Sequence, residues 1–183
     1  MHLITRGILG GLALALAGGA AHAQAGLTSS PATVSMTATK ASTLTVSPTS
    51  ATATLASITD NSVANVFTPV TVTTDWNLTA GTSVNLVGWF ATPAQALANG
   101  TDFIPSSKVE GRVGASAFAP FNSGATGGVG VASGSLLLFS QGVGAGTYLG
   151  NRSDQLDVRL NLTGTTTVAG NYTGTLNLQA VVQ

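Results

Sequence analysis

The chain has 183 residues, with six Lys and Arg, six Asp and Glu, two His and no Cys, and only 7% of it is charged. That balance offers neither a basic face for a phosphate backbone nor a polybasic contact for a membrane surface, so no nucleic-acid partner is expected. The lack of Cys removes disulfides, thiol nucleophiles and thiolate metal sites together.

Met1–Ala23 has the layout of a secretory signal peptide. His2 and Arg6 lie at a short start, Gly7–Ala21 is apolar, and Ala21-His22-Ala23 has the small-x-small form that signal peptidase cuts. The apolar run is short of the ~20 residues that span a bilayer. Cleavage before Gln24 removes both His residues, and the mature chain is expected to be secreted, periplasmic or on the cell surface, without inserting into a membrane. It keeps five basic groups (Lys40, Lys108, Arg112, Arg152, Arg159) against six acids (Asp60, Asp75, Asp102, Glu110, Asp154, Asp157), a net charge of −1. Residues 24–183 are enough for one domain with its own core, preceded by a small, polar and flexible terminus over 24–31.

From Ala32 the even positions turn apolar, with Ala32, Val34, Met36 and Ala38, then Leu44 and Val46, against hydroxylic Thr33, Ser35, Thr37 and Thr39. Side chains of a strand alternate between faces, so this predicts one long strand or two short ones, ended by Pro48, which lacks a ladder N–H. A weaker strand is expected over Ala51–Ile58, ahead of a turn at Asp60-Asn61-Ser62. Val66–Leu78 alternates more firmly: Val70, Val72, Thr74, Trp76 and Leu78 share a face, and Pro69 marks a start or a bulge. Ala80-Gly81-Thr82 then turns the chain into Val84–Ala91, predicting a hairpin through Gly81. In that second segment Val84, Leu86, Gly88 and Phe90 oppose Asn85, Val87 and Trp89, as in a strand covered on both sides.

Thr92–Gly100 is the one helix candidate of the mature chain, with Thr92 to cap it, Pro93 at its first position and Asn99-Gly100 to end it. Lys108–Val113 reads as a short strand and Ala117–Phe121 as irregular. Asn122–Gly134 is nearly all Gly, Ser, Ala, Thr and Val, and is expected to be a flexible loop or a loosely held edge. Ser135–Ser140 reads as a buried strand and Gln141–Arg152 as a second Gly-rich connection. Asp154–Leu162 sets Leu156, Val158, Leu160 and Leu162 against Asp157, Arg159 and Asn161. After a turn over Gly164–Gly170, Tyr172–Gln183 alternates again, at either the centre or the edge of a sheet. Eight or nine short strands with almost no helix predict an all-β fold, an immunoglobulin-like Greek-key β-sandwich, with a closed barrel as the alternative. Two Trp and two Tyr are too few for the girdles of an outer-membrane barrel.

Without His or Cys the mature chain has no Ser-His-Asp triad and no imidazole zinc site, and no S-x-x-K motif accompanies Lys40 or Lys108. No catalytic residue, cofactor or metal site is expected, and the protein is read as a non-enzyme. Asn151–Asp157 (NRSDQLD) offers oxygen ligands of the kind Ca²⁺ takes, and reads equally well as a polar turn entering a strand. Five Asn-x-Ser/Thr sequons (Asn77, Asn99, Asn151, Asn161, Asn171) matter only where the source glycosylates them. Trp89 and Phe90 form a candidate sugar-stacking platform, while Trp76, on the Val70/Val72 face, is expected in the core.

TVSMTATKASTLTVSP near the start and AGNYTGTLNLQAVVQ at the end resemble the secreted spore coat U and pilin-like β-sandwich proteins of bacteria. Val34, Met36 and Ala38 match the family's alternating first strand, and Gly170, Tyr172 and Gly174 its Gly-x-Tyr entry into the last. The chain departs from the family in lacking the disulfide near the first strand. The resemblance implies an exported, immunoglobulin-like sandwich working at the surface or in an appendage, with no catalytic residues. The expected function is thus a structural or adhesive surface protein, with Val34, Met36 and Ala38 a candidate segment for strand addition to itself or to other surface proteins; pairing of Ala32–Ala38 within its own domain is the more favoured reading of that segment. The alternative is a monomeric binding module for glycans or another ligand.

Overall fold

The computed structural model describes residues 31–183; the expected signal peptide and nearly all of the expected flexible terminus lie outside the described residues. The chain divides into two compact units at Thr39/Lys40. In the first, residues 31–39 are exposed and carry no regular structure. The strand expected over Ala32–Ala38 is therefore not formed. No ladder partner is recorded for it among the described residues, and a lone strand has no stability in water.

The second unit is all-β, with two three-residue 3₁₀ turns at Pro93–Gln95 and Ser106–Lys108 as its helical elements. Its strands are β1 (Thr43–Pro48), β2 (Asn65–Val66), β3 (Val70–Asn77), β4 (Thr82–Trp89), β5 (Leu97–Asn99), β6 (Asp102–Ile104), β7 (Val109–Val113), β8 (Ala119–Pro120), β9 (Ser135–Val143), β10 (Leu149–Leu160) and β11 (Asn177–Val182). All recorded pairings are antiparallel. The larger sheet runs β1-β3-β10-β7-β8, with β2 also on β10; the smaller runs β11-β4-β9, and β5-β6 is a separate hairpin.

The alternation explains the layers. On β3, Val72, Thr74 and Trp76 are buried while Asp75 is exposed, and on β10 Leu156 and Leu160 face inward while Arg159 does not. β4 is buried continuously from Val84 to Gly88 and is the central strand of its sheet. Two apolar clusters join the sheets as in a β-sandwich. One centres on Val72, Trp76, Leu86, Phe139 and Leu156, the other on Phe90, Ile104, Phe121, Leu160 and Leu162. Leu138, Val158 and Leu176 pack against both.

Several expectations are corrected. β3 and β4 do not form a hairpin: β3 pairs with β1 and β10, β4 with β11 and β9, so the turn at Gly81 (φ +89°) carries the chain from one sheet to the other. Ala51–Ile58 is not a strand; apart from a Thr54–Thr68 contact, it lacks the ladder a strand needs. The helix expected over Thr92–Gly100 shrinks to one 3₁₀ turn whose Thr92 makes no side-chain cap. Leu97–Asn99 instead pairs with Asp102–Ile104 around Gly100, at φ +61°. The Gly-rich connection over Gln141–Arg152 is mostly strand, and only 144–148 are left between β9 and β10. Ala119–Pro120 pairs with β7 rather than being irregular, and Pro120 sits where a missing N–H is tolerated, on the outermost strand.

The stretch 122–134 folds back onto the smaller sheet. Asn85 and Val87 point away from the inter-sheet core yet are buried, and Gly127 lies against Val181 and Gln183 of the same outer face. A bridge between Thr126 and Val129, together with positive φ at Gly127, Gly128 and Gly130, folds the loop onto that face. The last strand begins at Asn177 rather than Tyr172. Thr173 bridges Ala98 of β5, and a Cβ on Gly174 would overlap the Ala96 carbonyl oxygen, so residues 172–176 leave β4 and follow β5.

Candidate functional groove

That departure opens a cavity of about 430 Å³. Its walls come from opposite sheets: Val70, Leu156 and Val158 on one side, Leu176 and Leu178 on the other, with Phe90, Leu97 and Val109 also lining it. Pro48, the last residue of β1, and Ser50–Ala53 beyond it form part of its rim. The groove thus lies where both β1 and β11 stop short, along the seam between the two apolar clusters. Its rim includes unpaired backbone: among the described residues, Gly174, Thr175 and Leu176 make no recorded main-chain hydrogen bond outside the strand ladders, and β11 is an end strand of its sheet. The groove therefore combines an apolar floor with main chain that makes no hydrogen bond to the described residues at its rim.

The segment singled out from sequence has the complementary pattern. Val34 and Met36 are 84% and 91% exposed, and Ala38 is exposed as well.

Trp89 and Phe90 are not brought together. Phe90 is buried and meets Phe121 edge-on, with ring centroids 5.3 Å apart. Trp89 takes the opposite face of β4, between Asn177 and Ser135. Consecutive strand residues point to opposite faces, which prevents one platform.

Asn151–Asp157 is also divided by strand parity. Asp154 lies on the inward side of β10 beside Arg152, to which it is ion-paired, while Asp157 points outward and accepts from Arg112 Nε at 2.9 Å. Among the described residues no group of three or more His, Cys, Asp and Glu converges as a metal site.

The outer face of β7 and β10 carries a charge ladder that the sequence reading did not single out. Arg112 lies opposite Asp157 in the ladder and Glu110 opposite Arg159. Arg159 Nη2 is 2.6 Å from Glu110 Oε2, Asn161 donates to Glu110 Oε1 at 2.8 Å, and Gln155 donates to Asp157 Oδ1 at 2.7 Å. The Phe118 ring lies under both guanidinium groups, 4.4 Å from Arg112 and 4.1 Å from Arg159. Each charge has a partner in its own sheet, so the ladder fixes β7 against β10. The signal for it was the outward row Asp157, Arg159, Asn161 on one strand and Glu110, Arg112 on another.

No family model, curated protein or solved structure matches this chain. Among the described residues no helix is long and apolar enough to cross a membrane.

Proposed function

We propose that the protein is a non-catalytic, exported structural or adhesive subunit of the cell surface, an immunoglobulin-like Greek-key sandwich that assembles by strand addition. Residues 32–38 of one copy occupy the groove of the next. The supporting observation is the apolar groove with unpaired rim main chain, found in a chain that also carries an exposed, alternating Val34/Met36/Ala38 segment. Each Val or Met side chain taken out of water contributes about 1.5–3 kcal/mol, and the added strand supplies main-chain hydrogen bonds at the rim. The crossing between sheets at Gly81 supports the Greek-key reading.

The test is sedimentation velocity of the mature protein across a concentration series, beside the double variant Val34→Asp/Met36→Asp. Both positions are exposed, so the variant is expected to keep its fold. The wild type is expected to associate and the variant to stay monomeric. A wild type that remains monomeric at high concentration, or a variant that associates equally well, overturns the proposal.

A further inference from the structure

The sandwich has a second opening, and its chemistry is the reverse of the first. β10 pairs with β3 from Leu149 to Leu156, but with β7 only from Leu156 to Leu160. Among the described residues, Leu149–Asp154 therefore has a strand on one side only. β9 is likewise an end strand of its sheet. Between these edges lies a cleft of about 480 Å³, lined by Trp76, Gln141, Thr147, Gly150, Arg152 and Asp154 among others.

Inward positions along β10 run Gly150, Arg152, Asp154, Leu156, Val158, Leu160. Where β7 pairs with the strand they are apolar, and at the unpaired end two of the three are charged. Arg152 and Asp154 are paired to each other, and the Arg152 guanidinium lies over the Phe139 ring of the facing sheet, 4.3 Å from its centroid. Phe139 is a buried member of the first apolar cluster. A side chain of this chain thus covers the core surface that an incoming strand would cover.

We infer that Arg152 and Asp154 make the β10 edge a guarded edge, one that refuses strand addition. An incoming strand would have to bury the ion pair or displace Arg152 from Phe139, and its apolar side chains would meet charges instead of a pocket. Inward-pointing charge is a known way of blunting an exposed sheet edge. Removing a half-solvated ion pair from water without a new partner opposes docking further. This inference rests on the β10 edge alone and does not depend on which segment fills the first groove.

The test uses the Val34→Asp/Met36→Asp protein as background, so that the proposed donor is silent. Adding Arg152→Leu and Asp154→Val makes the inward row of β10 apolar to its end. The expected result is a concentration-dependent rise in sedimentation coefficient, from monomer to dimer or larger, absent from the background. A quadruple variant that keeps a wild-type circular dichroism spectrum and sediments like the background at every concentration overturns the inference.

Should the quadruple variant not fold, Arg152→Gln/Asp154→Asn in the same background, which keeps polarity and removes the charges, provides the second reading. Partial association is expected from it, and monomers at all concentrations overturn the inference. If the wild type also fails to associate, the groove proposal falls while the guarded edge is still decided by these variants.

Discussion

The Phe121 ring fills the space that Gly111 leaves on the inner face of β7: a Cβ on Gly111 would stand 2.8 Å from its Cζ. Gly88, on the opposite sheet, leaves room for the other side of the ring, where a Cβ would meet Cε1 at 3.0 Å. Phe121 is fully buried and belongs to the second apolar cluster, so the two glycines set the spacing of the sheets at this point. Gly111→Ala is expected to destabilise by about 1–3 kcal/mol through overpacking. Urea denaturation of the variant measures it, and a change within error of zero would show that the ring can shift without cost.

Thr74 is fully buried on β3, and its Oγ1 has no hydrogen-bond partner among the described residues. A buried, unpaired hydroxyl carries a desolvation cost of about 1–3 kcal/mol, whereas Val fills nearly the same volume without one. Thr74→Val is expected to stabilise by roughly 1 kcal/mol, raising Tm by about 2–4 °C for a domain of this size. Differential scanning calorimetry reads the shift, and a lower Tm would mean that the hydroxyl has a partner in solution.

The Glu110–Arg159 pair is intermediate between surface and core, with the Arg159 side chain 25% exposed and that of Glu110 11%. Exposed pairs contribute up to about 1 kcal/mol, and breaking a buried one costs about 3–5 kcal/mol. Arg159→Met is therefore expected to cost about 2 kcal/mol, with Glu110 left to Asn161 alone. A double-mutant cycle with Glu110→Gln checks the coupling, which should fall little with added salt because most of the pair is shielded from ions. A coupling near zero would place the ladder among ordinary surface charges.

Strand positions were legible because burial and the two-residue period coincide. Val70–Trp76 and Leu156–Leu162 each mark a core-facing row in plain view, Val84–Gly88 reads as covered on both faces, and Pro69 marks where the chain breaks between β2 and β3. Pairing was not legible. Ala80-Gly81-Thr82 has the same turn chemistry whether the next strand returns beside the last or crosses to the facing sheet, and nothing local to Gly81 specifies β10 or β11 as partner. Around Gly100 the same Asn-Gly pair serves helix ends and hairpins. Capping logic favoured the first, and pairing of Leu97–Asn99 with Asp102–Ile104 won. The groove was hidden for a related reason: its walls come from residues 48–53, 67–70 and 174–178, as well as the core strands, and only the fold brings them together.

The position of β4 also sets a timetable. Its partners are β9 and β11, with Val84 lying opposite Val182 and Thr82 opposite Val143. A chain emerging N-terminus first therefore holds a finished β4 with neither neighbour available, and its smaller sheet can close only after Asn177–Val182 has appeared. Pairings this distant in sequence form slowly, because the loop must close before any contact repays it. Until Asn177–Val182 has been made the smaller sheet stays open, and β4 is exposed to mispairing while that lasts.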